Sequence, residues 1–297
     1  MREFQTPEVV ANRIRMLRVA NRAKSFMIVE GSDDSRPYSV FACERRCSIQ
    51  WGHGKKNALD VGGILASEHF AGFMVVVDQD EWIWRGNHPN QDYIAWTDGR
   101  DLESTLMLHG VIERIIANYA DSSRTRDFEL EVGKGVQQWL VEWCSTIGAI
   151  RLALSRVDLG LDDIDPADCM DHHWRITVDD MVRTLLHDSR GNPRRERQYL
   201  YKQVLMESNN LLERIGNKEQ LCCGHDLCYA MLCVLQDKIG SNDCKDLTIE
   251  LFERSVRTAY AWSDFEPTGL HTRIRQWEGQ NKPWRILRDG PGAPTAA

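Results

Sequence analysis

Two five-residue apolar runs constrain this chain more than anything else in it. SFMIV spans residues 25–29 and FMVVV spans residues 73–77, and each runs straight into an acid, Glu30 or Asp78. Short apolar runs of this kind predict buried strands. CSIQW at 47–51 and YIAWT at 93–97 predict two more. Between them lie segments long enough for helices, at 32–46 and from about Asn57 onward. Strands alternating with helices predict an α/β fold built on a parallel sheet with crossover helices. Ahead of the first strand, residues 7–23 place Val10, Ile14, Leu17 and Val19 at near-helical spacing, with Thr6 as N-cap and Pro7 at the first position.

From about residue 105 the pattern changes to successive amphipathic helices. Trp139, Trp143 and Trp262 fall on helices and are expected to pack in the core. The expected organisation is a sheet-bearing domain over 1–110, a mostly helical region over 111–288 packed on it, and a disordered tail over 289–297. The chain has 297 residues and a net charge of −7, so it is not a polycation that coats nucleic acid. Binding of that kind has to come from a local basic patch or from metal ions. No apolar stretch approaches the length of a membrane span. The polar stretch Met1 to Thr6 has no signal-peptide core, and the nine cysteines are irregularly spaced. A cytoplasmic protein with reduced thiols and no membrane association is expected.

In a parallel sheet the chemistry sits beyond the carboxyl ends of the strands. Glu30, Asp78 and Asp80 each fall there, so distant parts of the chain are expected to meet at one edge. Asp101 and Glu103, after the fourth strand, supply further acids. Carboxylates gathered at one edge repel, and one takes up a proton unless a cation is present. Hard oxygen ligands suit Mg²⁺, with Mn²⁺ as an alternative. Two such ions about 4 Å apart stabilise the attacking and leaving oxygens of a phosphodiester cleavage. The competing reading of a D-x-D after a strand is a loop or helix cap.

IVEGSDD (28–34) followed by VVVDQD (75–80) resembles the Toprim domain, which occurs in topoisomerases, primases and OLD-type nucleases. GKKNALDVGGIL between these motifs and WTDGRDLESTLM after them resemble a Toprim-like nuclease family encoded beside ABC-type ATPases, which includes the nuclease subunit of the PARIS anti-phage system. The last motif of that family usually reads acid-Ile-Glu-Asn-Tyr-Leu; here it is Asp101-Leu102-Glu103-Ser104-Thr105-Leu106. The acid and the glutamate remain and the Asn-Tyr pair does not. The resemblance implies Glu30 as general base or shared metal ligand, Asp78 and Asp80 as Mg²⁺ ligands, and Glu103 completing the site. Lys55 or Lys56 then sits near a substrate phosphate, or else in a solvated turn before a helix capped by Asn57.

The resemblance also implies a Mg²⁺-dependent endonuclease acting on RNA or DNA. It would be a toxic effector of anti-phage defence, held by an ATPase partner and able to form a homodimer when active. GHGK lacks the spacing of a phosphate-binding P-loop, so ATP hydrolysis is assigned to the partner. A second reading of the same fold is a non-catalytic module docking on an ATPase or nucleic acid.

Three further segments are less specific. PRRERQYLYK (193–202) offers Arg194, Arg195 and two tyrosines to a nucleic-acid backbone, or is a solvated helix face. LCCGHDLC, with Cys222, Cys223, His225 and Cys228, plus Cys233, invites zinc but lacks paired C-x-x-C modules; it reads better as a helix with His225 at its start and Cys228 and Cys233 as small core residues. His172 and His173 are adjacent, and in a strand or helix such neighbours point in different directions, which argues against a shared metal.

Overall fold

A computed structural model describes residues 5–80, 82–157, 177–187, 194–241 and 244–291. The described residues fall into two units, one from Met1–Thr105 and Arg257–Ala297, the other from Leu106–Val256. The sequence expectation put one break near 110. The first break falls close to it, but the C-terminal segment returns to the sheet-bearing unit instead of staying with the helical region. Asp289, at the start of the expected tail, pairs with Arg285 at 2.5 Å, and residues 292–297 lie outside the described residues.

The first unit carries four strands, β1 (Ser25–Val29), β2 (Cys47–Trp51), β3 (Phe73–Val77) and β4 (Ile94–Trp96). All neighbours are parallel, in the order β2-β1-β3-β4. Val29 lies opposite Trp51 on one side and Val76 on the other, and Val77 lies opposite Trp96. The carboxyl ends therefore reach one edge nearly level. From β1 the chain steps outward to β2, then crosses back past β1 to β3. The strand order thus reverses between β1 and β3, the place where open parallel sheets form a crevice.

The helices of this unit begin with α1 (Pro7–Ala20), α2 (Ser32–Phe41), α3 (Lys55–Ser67), the single turn α4 (Trp82–Arg85) and α5 (Leu102–Leu106). Val10, Ala11 and Ile14 of α1, with Ala58, Val61 and Leu65 of α3, bury Phe26, Ile28, Phe73, Val75 and Val77. The alternate strand residues Met27, Val29, Met74 and Val76 are also buried, as a sheet covered on both faces requires. Gly62 makes the close approach of α3 possible, since a Cβ there would stand 2.7 Å from Val75 Cγ2. Phe41 stacks on Phe265 at 4.5 Å and meets Tyr260 and Trp262 edge-on. Helix Gly269–Gln280 packs on β4.

Three element boundaries differ from the sequence reading. Helix α1 stops at Ala20 because Asn21 turns extended and closes its N–H on Leu17. Helix α2 stops at Phe41 because the next residues bond the C-terminal segment: Cys43 N–H donates to Ile286 O at 2.7 Å and Ala42 bridges Leu287. Helix α3 starts at Lys55, after Gly54 at φ +113°, a left-handed backbone that glycine takes at little cost. Asn57 does not cap it; its side-chain amide donates to Gly52 O and Gln5 O.

The second unit is helical, with helices at Ile112–Tyr119, Ser122–Val132, Val136–Val157, Val178–His187, Arg194–Arg214, Gly224–Val234 and most of Ile249–Ala259. Val136–Val157 packs on Arg194–Arg214. Trp139 and Trp143 stack in the core, as Trp262 is buried in the first unit. Within the Gly224–Val234 helix Cys228 is buried, as expected of a small core residue, while Cys233 is only half-buried, and His225 in the first turn pairs with Glu253 at 2.8 Å. Among the described residues no helix is long and apolar enough to cross a membrane.

Candidate active site

Acids gather at the carboxyl ends of β1 and β3, where the strand order reverses. Glu30 is the first residue past β1 and Asp78 the first past β3, and the sheet brings them into direct contact: Asp78 N–H donates to Glu30 Oε1 at 2.8 Å. Two residues on, Asp80 adopts φ +45°, a left-handed backbone that aspartate tolerates better than most side chains. Its N–H donates to Arg100 O at 2.8 Å, tying the β3 loop to the loop before α5. The middle residue of the D-x-D, Gln79, is buried. Its amide donates to Asp98 O and Gly99 O, and its N–H to Thr97 Oγ1. Gln79 thus braces the β4 loop, which leaves Asp78 and Asp80 for the crevice.

Electrostatics set these acids apart. Burial, then the Asp34 and Asp80 charges, pushes Glu30 up to about 7, against the one backbone N–H that it accepts. Burial pushes Asp78 well up, with Asp101, Glu30, Asp34 and Asp80 adding repulsion. Burial and the Asp101 charge also raise Glu103, although Arg257 pairs with it at 2.7 Å. Among the described residues no hydrogen bond reaches the Asp78 carboxylate. Strongly displaced carboxyl groups in a cleft are a mark of reactive sites.

Cations close part of the edge. Lys55, at the start of α3, donates from Nζ to Asp78 O at 2.6 Å and to Asp80 Oδ2 at 2.8 Å. The same ammonium sits 3.9 Å from the Trp82 ring centre. Lys56 is not part of the site. It is exposed and pairs with Asp60 one helical turn away. Asp101 has a structural task, since its Oδ1 accepts Ser104 N–H at 2.8 Å and caps α5. Arg194 and Arg195 belong to a helix of the second unit, and their side chains lie outside the described residues, as do His172 and His173.

Four contributors escaped the sequence reading. Asp34 and Tyr38 lie one turn apart on α2 and near the acids, with Asp34 accepting Gly31 N–H at 2.7 Å. Asp34 stood inside the quoted GSDD, four residues past Glu30, a spacing that brings it back toward the strand end. Arg257 and Arg100 left no local signal.

The donor set is all oxygen, it is crowded, and Glu30 and Asp78 are poorly supplied with hydrogen bonds. That chemistry suits a hard divalent cation. With Lys55 on Asp80 and Arg257 on Glu103, among the described residues no group of three or more His, Cys, Asp or Glu side chains is arranged to hold a metal ion. No family model matches the chain and no curated protein matches its sequence. The fold and the edge define it as an α/β protein with an all-parallel sheet whose acids gather where the strand order reverses.

Proposed function

We propose that this chain is a metal-dependent nuclease of the Toprim kind that cuts phosphodiester bonds in RNA or DNA. One observation carries the reading: Glu30 and Asp78 meet at the β1–β3 crevice with their protons held far above the usual carboxylate range. A protein that only docked has no physical need to gather such acids, because each raises the cost of ionising the next.

Glu30 and Asp78 would hold Mg²⁺ or Mn²⁺ together with Asp80 once the ion displaces Lys55 from it, with Glu103 orienting the set. The metal would polarise the phosphodiester and lower the barrier to attack by water. Glu30, which burial pushes up to about 7 in the metal-free edge, would serve as general base toward the attacking water or as a shared metal ligand. Lys55, fixed on the Asp78 carbonyl, keeps a positive charge at the mouth of the crevice. The role as a toxic effector restrained by an ABC-type ATPase partner rests on the resemblance of GKKNALDVGGIL and WTDGRDLESTLM. Its expected sign is growth arrest on expression, relieved by that partner and absent for Glu30→Gln.

The test of the nuclease is incubation of cellular RNA and plasmid DNA with the purified chain in Mg²⁺, Mn²⁺ or EDTA. Cutting that needs metal and disappears in both Glu30→Gln and Asp78→Asn is expected. Cutting in EDTA, or equal cutting by both variants, would sink the proposal. Absence of cutting by the wild type, with and without the ATPase partner, would do the same.

A further inference from the structure

Beside the acid edge lies a cavity of about 330 Å³ lined by Lys55, Asp80, Trp82, Arg85, Asn87 and Arg100. Its chemistry is opposite to that of the crevice. Among the described residues Lys55, Arg85 and Arg100 are its cations, Lys55 being paired with Asp80, and Asn87 adds an amide. Its volume is at the lower end of small-ligand pockets. The wall is built, not incidental. Lys55 is held against the Trp82 ring by Asp80 and the Asp78 carbonyl. The Arg100 guanidinium lies 5.6 Å from the Trp84 ring centre, while its carbonyl takes the Asp80 N–H. The loop that positions Asp80 for the crevice therefore also positions Arg100 for the cavity.

We propose that this cavity is a subsite for a nucleotide phosphate flanking the bond that is cut. The proposal rests on the nuclease reading for the word "cut", but the binding it asserts does not need catalysis. Arginine forks grip phosphate oxygens in pairs, and lysine adds a point charge. In a chain of net charge −7, such a local cluster gives a polyanion somewhere to dock. Trp82 offers an aromatic edge to the attached nucleoside. The phosphate can belong to a nucleic-acid strand or to a single nucleotide, and the two sources are separable.

The test is equilibrium binding in EDTA, where no cutting occurs, read by fluorescence anisotropy of short labelled single-stranded DNA and RNA. A 5′-nucleoside monophosphate serves as competitor. Arg85→Ala and Arg100→Ala are each expected to weaken binding by about 5- to 10-fold and to lower the slope of log K against log salt by about 0.7. Lys56→Ala, an exposed lysine outside the cavity, is the control and is expected to stay within about twofold. If an alanine variant loses its circular-dichroism spectrum, the corresponding lysine variant replaces it. That variant is expected to keep the salt slope and lose about 2- to 3-fold in affinity. Competition by the monophosphate at concentrations like those of the strand assigns the site to single nucleotides, and weak competition assigns it to strands. Failure of both probes to bind the wild type, or equal losses in Lys56→Ala and the arginine variants, overturns the subsite. Binding without cutting in Mg²⁺ overturns the nuclease alone. Cutting with unaltered binding in both arginine variants overturns the subsite alone.

Discussion

Asp78 and Asp98 both follow a strand of the same sheet, and they have opposite fates. Asp98, past β4, accepts the N–H groups of Gly269 and Leu270 at 2.5 and 3.0 Å and pairs with Arg273 at 2.7 Å. It is an anchor, holding the start of helix Gly269–Gln280 against the sheet, where a carboxylate meets the positive end of the helix dipole. Asp78, past β3, has acids for neighbours, and its proton is held far above the usual range. The supply of donors, not the position at a strand end, separates an anchored carboxylate from a repelled one.

The sharpest way to break this contrast is to remove each charge. Asp78→Asn is expected to cut nuclease turnover on the order of 10³-fold or more, while raising the melting temperature in EDTA, because a repelled charge is gone. Asp98→Ala is expected to act through stability, costing about 2–4 kcal/mol by leaving two N–H groups unpaired and Arg273 without its carboxylate. Similar outcomes for the two variants in a paired melting and cleavage series would erase the distinction.

A smaller effect sharpens the comparison through pH. Glu30 binds its proton more tightly folded, at about 7, than at its ordinary 4.5. Its contribution to stability is therefore full below about 4.5 and falls as pH rises toward 7. Melts in EDTA should show Glu30→Gln matching the wild type near pH 4.5 and exceeding it above pH 7. Mg²⁺ should close that gap, with stabilisation growing with concentration.

Gly62→Ala, which drives a methyl to 2.7 Å from Val75 Cγ2, should cost about 1–3 kcal/mol in chemical denaturation. Lys56→Ala, whose pair with Asp60 is exposed, should leave the denaturation midpoint unchanged within error.

The contrast also marks what was legible in the sequence. SFMIV and FMVVV announced a parallel sheet, and with it the meeting of Glu30 and Asp78, because apolar runs and their flanking acids are local facts. The same rule placed Asp101 and Glu103 at the edge without revealing that one caps α5 and the other pairs with Arg257. Glu103 and Arg257 are 154 residues apart, and only the return of the C-terminal segment to the first unit joins them. The one-turn helix Trp82–Arg85, which carries two of the cavity residues, is too short to leave a periodic signal. Asn57 read as a cap because the left-handed Gly54 that starts α3 earlier is a backbone property.

The most direct test of the central claim is calorimetric titration of Mg²⁺ into the wild type, Glu30→Gln and Asp78→Asn near pH 6.5, in two buffers of different ionisation enthalpy. The account predicts binding by the wild type with release of about one proton per metal, less release from Glu30→Gln, and binding weakened at least tenfold in Asp78→Asn. Metal binding without proton release, or of equal strength in all three proteins, would contradict it.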